Sequence, residues 1–301
     1  MKPFTIVVPD KISDLNLVSH SIPENEAPQY DGLFSYLEGD LVIFNHFIYE
    51  SLQSGNVDKQ PDLFPDFWLS LGSTNQFAAF DEAAGTFSQA RDFIEFQVNG
   101  DRVTSMGFLE IDCSKIIVTG THPNFGTFYS REFLINSNGL IRGWYSYFFS
   151  PRVRKPELVI TDIPSYAGAT FTVRIEASQS TGIAKIGTFL LGKFYEIGDT
   201  ALGAKLGIID FSVKETDALG RTTLVERTFK RRNEVQVFVK NTQLDAVYKL
   251  LQTIRARNVL YIGASELYES LTLYGFFRDF SLDMQLKKES VLNLQIEGLT
   301  A

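Results

Sequence analysis

Few side chains in this sequence have a type and spacing that would support catalysis or metal binding. The three histidines, His20, His46 and His122, fall in loops or turns, and no HxxxH or HxH spacing occurs, so the sequence predicts no metal site. His46 is predicted to be a solvated residue of a hairpin turn. The sequence contains no G-x-S-x-G, no P-loop and no G-x-G-x-x-G, and no carboxylate pair stands out among its 36 acidic residues. We therefore predict that the chain is not an enzyme and holds no cofactor.

The single cysteine and the charge distribution exclude further classes of protein. Cys113 lies between apolar runs and is predicted to be buried, and one cysteine can form neither an intramolecular disulfide nor a multi-cysteine metal site. The net charge of −8 argues against specific nucleic-acid binding. Residues 1–100 carry four Lys/Arg and fifteen Asp/Glu, which makes this third of the chain a separate acidic module. No apolar run of about 18 residues and no signal-like start occur, so we expect a product made in the cytoplasm without membrane insertion.

An aromatic segment at residues 31–72 follows a predicted N-terminal extension or linker at 1–30. The pattern GD-x-V-x-F-x-x-x-x-Y-E-S-L begins at Gly39, and Gly55, Pro61 and Trp68 follow it. This segment resembles the small carbohydrate-binding modules attached to chitinases, in which aromatic rings stack on sugars. The resemblance makes Tyr49 and Trp68 candidate glycan contacts. Ser51-Leu52-Gln53-Ser54 stands where further aromatic residues are expected, and a structural mini-domain with both rings in its core is the alternative.

Residues 73–195 read as an all-β domain. Short apolar or alternating runs recur between turn signals and predict about eight strands, which favours a two-sheet β-sandwich of the jelly-roll kind. The predicted strands are Phe93–Val98, Val103–Ile111, Lys115–Thr119, Phe128–Ile135, Trp144–Phe149, Leu158–Ile163, Ala169–Glu176 and Ile183–Leu191. Arg152, Arg154 and Lys155 form a small basic group, read as a solvated loop or as a contact to the acidic N-terminal module.

Residues 196–301 read as an α+β domain with one long helix. Apolar residues at helical spacing predict a helix at Thr242–Asn258, with Thr242 and Asp245 as a capping box. Alternating strands surround it, so each has one apolar face that the helix can cover. A hairpin at Leu206–Phe229 is the most extended element available to reach a neighbouring subunit. Candidate interface residues are Ile209, Phe211 and Val213, on one face of the first strand, and Arg231 and Arg232 after the hairpin.

Several spaced stretches resemble one family of structural proteins from the tail-gene clusters of tailed bacteriophages and prophages. They are Gly207-Ile208-Ile209-Asp210-Phe211-Ser212, Tyr261-Ile262-Gly263, Tyr274-Gly275-Phe276-Phe277-Arg278-Asp279-Phe280-Ser281 and Leu294-Gln295-Ile296-Glu297-Gly298-Leu299, with Asn75–Asp81, Tyr166–Thr170 and Ile186–Gly192 upstream. The resemblance implies a tail-tube-like C-terminal domain, of the type also used by distal-tail and baseplate hub proteins. In that fold the sheets of neighbouring subunits join in a ring, and no catalytic residues are involved.

These observations predict a mainly β structural protein of a virion tail. We expect a homo-oligomeric ring, a hexamer or a trimer, in contact with other phage tail or baseplate proteins and assembled through residues 196–301. The alternative is a host-attachment module that binds a bacterial surface glycan. A glycan binder needs two or more aromatic rings on one open face, and this requirement separates the two hypotheses.

Overall fold

The computed structural model describes residues 3–135, 156–179, 181–216, 220–263, 269–284 and 288–300. The fold is mainly β, with 56% strand and 6% helix. Among the described residues there is one α-helix, α1 at Leu244–Thr253, and two short 3-10 turns at Ala78–Phe80 and Glu269–Leu271. In chain order the strands are β1 Pro3–Pro9, β2 Leu17–His20, β3 Leu41–Phe44, β4 Phe47–Ser51, β5 Trp68–Ser73, β6 Ser88–Arg91, β7 Phe93–Gly100, β8 Ser105–Leu109, β9 Lys115–His122, β10 Gly126–Leu134, β11 Glu157–Ile160, β12 Ala169–Glu176, β13 Ile183–Ile186, β14 Thr188–Thr200, β15 Lys205–Asp210, β16 Val213–Thr216, β17 Thr222–Val225, β18 Phe229–Lys240, β19 Val259–Gly263, β20 Thr272–Asp283 and β21 Glu289–Thr300.

The chain divides into two compact units. The barrel unit contains Met1–Asp10, Val103–Met106 and Leu191–Ala301, and the inserted unit contains Lys11–Arg102 and Gly107–Leu190. This division differs from the predicted boundaries, because β1 belongs to the barrel unit and not to a linker at 1–30. The physical reason is that four consecutive residues of β1, from Phe4 to Val7, are all buried, and a strand of this kind needs neighbours on both faces.

A closed sheet forms the barrel unit. Six strands follow one another in the order β14-β1-β19-β20-β21-β18, and β18 also pairs with β14 through Asp199↔Phe238 and Thr200↔Val237. This last pairing closes the sheet into a small antiparallel barrel. At the seam, Gly198 leaves room for the neighbouring strand, because a Cβ there would clash with the carbonyl oxygen of Phe238.

Alternating apolar residues fill the barrel. The predicted alternation in β18 and β21 is confirmed, since Val235, Val237, Val239, Leu292, Leu294 and Ile296 are all buried. Helix α1 packs on this core through Val247, Leu251 and Ile254. The predicted capping box is wrong: the helix starts after Gln243, Thr242 lies outside it, and no side chain caps the first turn. The helix is also shorter than predicted, because Ala256 takes a left-handed backbone conformation with φ 59°.

A five-stranded antiparallel sheet in the order β10-β9-β12-β7-β2 forms a large part of the inserted unit. Its buried face carries Phe96, Val118, Phe171 and Val173, whereas the residues between them are more exposed. The predicted strand Ala169–Glu176 matches β12 at both ends, while the predicted strand at 183–191 divides into β13 and the start of β14. The predicted strand Trp144–Phe149 and the basic group Arg152, Arg154 and Lys155 lie outside the described residues.

The small module, residues 31–72, lies within the inserted unit. Its sheet has three strands in the order β3-β4-β5, so β5 is an edge strand. The core is small and consists of Tyr36, Val42 and Trp68 with half-buried aromatic rings around them.

Candidate assembly surfaces

At the end of the barrel sheet, β15 pairs with the first part of β18, and the two-stranded ladder of β16 and β17 follows it. We call residues 205–232 the arm; it contains β15, β16, β17 and the first part of β18. Asp210 pairs with Phe229 in the β15–β18 ladder, and Val213 pairs with Val225 in the β16–β17 ladder, so the two ladders continue one another with a one-residue offset.

The arm exposes apolar side chains along its length. The exposed fractions are 51% for Leu206, 65% for Ile208, 43% for Phe211, 62% for Leu224, 46% for Val225 and 42% for Phe229. The β16–β17 ladder is a two-stranded sheet, which by itself is marginally stable in water, and a cluster of exposed apolar residues marks an interaction site. β15 is also the last strand of its sheet, so its outer row of backbone N–H and C=O groups has no partner strand among the described residues.

All five candidate interface residues lie on the arm, but Ile209, Phe211 and Val213 do not share one continuous face. Phe211 is 43% exposed, while Ile209 and Val213 are half-buried. The predicted strand is interrupted because the Asp210 carboxylate accepts a hydrogen bond from the Ser212 amide at 2.9 Å, which turns the chain. The Ser212 hydroxyl and amide lower the pKa of Asp210 through these hydrogen bonds.

Leu206 and Ile208 are the most exposed apolar side chains of β15, and the sequence analysis did not single them out as interface residues. They lie on the face opposite to Ile209, because side chains alternate along a strand. Their alternation was visible in the sequence, but only the exposure of the two side chains in the structure shows that this face stays uncovered.

The two candidate arginines have different surroundings. The Arg231 guanidinium donates through Nη2 to the carbonyl oxygens of Ser270 and Thr272, both at 3.0 Å, and so ties β18 to the start of β20. Arg232 forms an ion pair with Glu234 at 3.3 Å and keeps 44% of its side chain exposed. Arg231 therefore holds the barrel wall, whereas Arg232 is more accessible; the interface role of both stays a prediction.

The candidate glycan residues lie in and around the core of the small module. Trp68 is 3% exposed, and its Nε1 donates to the Lys59 carbonyl oxygen at 2.7 Å, so its ring offers no open face to a sugar. Tyr49 is half-buried beside this core, and burial, followed by the charge of Asp62, raises its pKa. The structure thus corrects the glycan contact suggested for Trp68 in favour of the core alternative.

His46 is a turn residue, as predicted, but its side chain is anchored and not simply solvated. Its Nδ1 lies 2.9 Å from Glu24 Oε1, its Nε2 lies 3.0 Å from Asp14 Oδ2, and its ring stacks on Phe77 at 3.5 Å. The ring lines a cavity of about 420 Å³, and Asp81 also lines this cavity. A carboxylate lies within hydrogen-bond distance of each ring nitrogen, and these two contacts fix the orientation of the ring. In the described part of the chain no three His, Cys, Asp or Glu side chains are arranged to hold a metal ion.

An exposed aromatic cluster lies where the β9–β10 turn meets the loop before β12. Phe125 is 67% exposed and Tyr166 is 37% exposed, with ring centroids 5.8 Å apart. His122 stacks on Phe125 at 4.7 Å, and Phe128 contacts Tyr166 at 4.7 Å. Sequence reasoning missed this cluster, because about 40 residues separate Tyr166 from the other three rings and only the β9–β12 pairing brings them together.

No family model, curated protein or solved structure matches this chain. Within the described ranges, no helix has the length and apolarity needed to cross a bilayer.

Proposed function

We propose that this chain is a structural subunit of a bacteriophage tail, in a tail-tip, baseplate or distal-tail ring. In this proposal the barrel unit assembles with other copies and with neighbouring tail proteins, and the inserted unit is displayed at the periphery. The observation that carries the proposal is the arm, which combines an open strand edge with exposed apolar side chains.

The arm supports assembly for an energetic reason. Burial of its exposed apolar side chains stabilises the assembly by about 25 cal/mol per Å² of apolar surface. Its open edge also completes its hydrogen bonds when another strand pairs with it. A ring of identical subunits provides both gains for every copy at once, because closed symmetry leaves no subunit with an unfilled edge.

The element order gives further support for a tail-tube-like unit. The barrel is antiparallel, contains a single helix between β18 and β19, and projects a hairpin before β18. This is the order that the sequence resemblance to tail proteins implies. The proposed location is the virion tail, after synthesis in the host cytoplasm.

Light scattering of the purified protein with negative-stain imaging tests the proposal. We expect rings for the wild type, and monomers for a variant with Leu206→Asp and Ile208→Asp. The matched control is Leu202→Asp, because Leu202 is 98% exposed and lies just outside the arm. An oligomer mass that the arm substitutions leave unchanged would refute assembly through the arm.

Binding of a host-surface glycan is a second candidate, favoured by the aromatic cluster at Phe125 and Tyr166. Two exposed rings on one surface suit stacking against a saccharide, which pairs C–H groups with aromatic faces. Glycan-array binding that Phe125→Ala abolishes, and that Phe34→Ala retains, would support this candidate. Phe34 is a suitable control because it is 56% exposed but belongs to the small module. The absence of binding across diverse glycans would count against it.

A further inference from the structure

The small module has more large apolar side chains on its surface than in its core. Of 27 exposed large hydrophobic residues among the described residues, eleven lie in the small module, against four that are buried there. The exposed ones are Leu33, Phe34, Leu37, Leu41, Phe47, Leu52, Val57, Leu63, Phe64, Leu69 and Leu71. A surface of this composition in a segment of about 40 residues indicates a binding face and not only a folded core.

The edge strand of the small module matches the edge strand of the arm. β5 exposes Leu69 at 48% and Leu71 at 52%, with a bulge in the ladder at Leu71, and β15 exposes Leu206 at 51% and Ile208 at 65%. Both strands are at the end of their sheets. Pairing of the two edges would complete both rows of backbone hydrogen bonds and bring the apolar side chains together, which is the usual mode of strand addition.

The two surfaces also carry opposite charge. The small module contains seven Asp/Glu and one Lys, whereas the arm contains seven Lys/Arg and four Asp/Glu. Glu50 lies beside Leu69 in the module sheet, while Lys205 at the start of β15 pairs with Glu234 at 3.4 Å and keeps 79% of its side chain exposed. Two modules or two arms would repel one another, so the charges favour contact of an arm with a module.

We infer that the arm of one copy docks on the small module of a neighbouring copy, with β15 of the first chain pairing with β5 of the second. Both surfaces carry exposed apolar side chains that the unit to which each belongs leaves uncovered. A contact between two different patches is heterologous, and such contacts generate rings or filaments. The inference rests on the proposed function and specifies the surface that the arm would meet.

Disulfide trapping between two single-site variants tests the contact directly. Leu71→Cys and Ile208→Cys proteins are mixed and oxidised. The native Cys113 can stay in place because it is fully buried and its burial raises the thiol pKa to about 12. Matched controls are Leu15→Cys and Leu202→Cys, whose sites are 95% and 98% exposed but lie outside both surfaces. We expect the Leu71→Cys and Ile208→Cys mixture to form covalent heterodimers about tenfold faster than a mixture in which either protein is replaced by a control variant. Equal rates of heterodimer formation would overturn the inference.

Assembly measurements separate this inference from the proposed function. We compare the wild type with an arm variant, Leu206→Asp and Ile208→Asp, and with a module variant, Leu69→Asp and Leu71→Asp. Loss of assembly in both variants, with folding retained in circular dichroism, supports the docking. A monomeric arm variant and a normally assembling module variant would overturn the docking alone. A wild type that is monomeric at its highest soluble concentration would remove both the self-assembly and the docking.

Discussion

His20 should make the stability of the chain depend on pH in a defined direction. The imidazole ring, at the end of β2, stacks on Phe96 at 5.6 Å and meets the edge of Phe80 at 6.0 Å. Its Nδ1 accepts a hydrogen bond from the Ile22 amide at 3.0 Å, which leaves the proton of the neutral ring on Nε2. Burial lowers the pKa of His20 from 6.5 to about 4.

The sign and size of the effect follow from proton binding. Between pH 6.5 and about 4, the unfolded chain binds a proton on His20 while the folded chain does not. The free energy of unfolding therefore falls as the pH is lowered through this range, and it falls no further on this account below about pH 4. A shift of about 2.5 units at about 1.4 kcal/mol per unit gives a loss of about 3 kcal/mol, a large part of the stability of a typical domain.

Urea unfolding at a series of pH values, followed by circular dichroism, measures this loss. The matched variant is His20→Asn, whose side-chain oxygen can accept the Ile22 amide hydrogen bond but does not titrate. We expect the difference in unfolding free energy between wild type and variant to change by about 3 kcal/mol from about pH 7 to pH 4. The same series on His122→Asn reports how much of the slope comes from a histidine elsewhere. Parallel curves for the wild type and His20→Asn would refute the reasoning.

Three further predictions concern the barrel seam, the buried thiol and the anchored turn. Gly198→Ala should lower the unfolding free energy by about 2–4 kcal/mol, because the new Cβ clashes with a backbone oxygen. Gly207→Ala is the matched control. Its Cβ would have its nearest contact at 3.9 Å, so it should lower the unfolding free energy by less than about 1 kcal/mol. Similar losses for both glycines in urea unfolding would contradict the steric account. The Cys113 thiol is fully buried, and this burial raises its pKa to about 12. It should therefore react with a thiol reagent only as fast as the chain unfolds. Rapid labelling of the native chain would contradict this. His46→Leu should destabilise the inserted unit by about 1 kcal/mol, because Glu24 and Asp14 lose a hydrogen-bond partner, and unchanged thermal unfolding would show that these contacts contribute nothing.

Local patterns in the sequence predicted the elements well but not their partners. The alternation of Val235, Val237 and Val239 and the helical spacing around Leu251 each depend on neighbouring residues, and both are confirmed. The prediction of a capping box failed because the helix begins one residue later than expected. Thr242 and Asp245 have the spacing of a capping box, but Gln243 and not Thr242 is the residue that precedes the helix.

Long-range pairing explains what the sequence left unpredicted. Periodicity cannot show that β18 returns to β14 and closes a barrel, because this pairing depends on the geometry of the whole sheet. The anchoring of His46 has the same origin, since Asp14 and Glu24 come from 32 and 22 residues away. Trp68 was ambiguous because an aromatic residue in a small β module suits a core and a sugar platform equally, and only its burial distinguishes them.

The position of β1 in the barrel has a consequence for synthesis on the ribosome. Ile6 pairs with Tyr195 on one side and with Tyr261 on the other, so β1 has no barrel neighbour until most of the chain has been made. At about 5–20 residues per second, this delay is on the order of ten seconds or more. The inserted unit has its own strand partners closer in sequence and can fold during the delay. The barrel is then the last part to form, because β18 also needs β21 beside it.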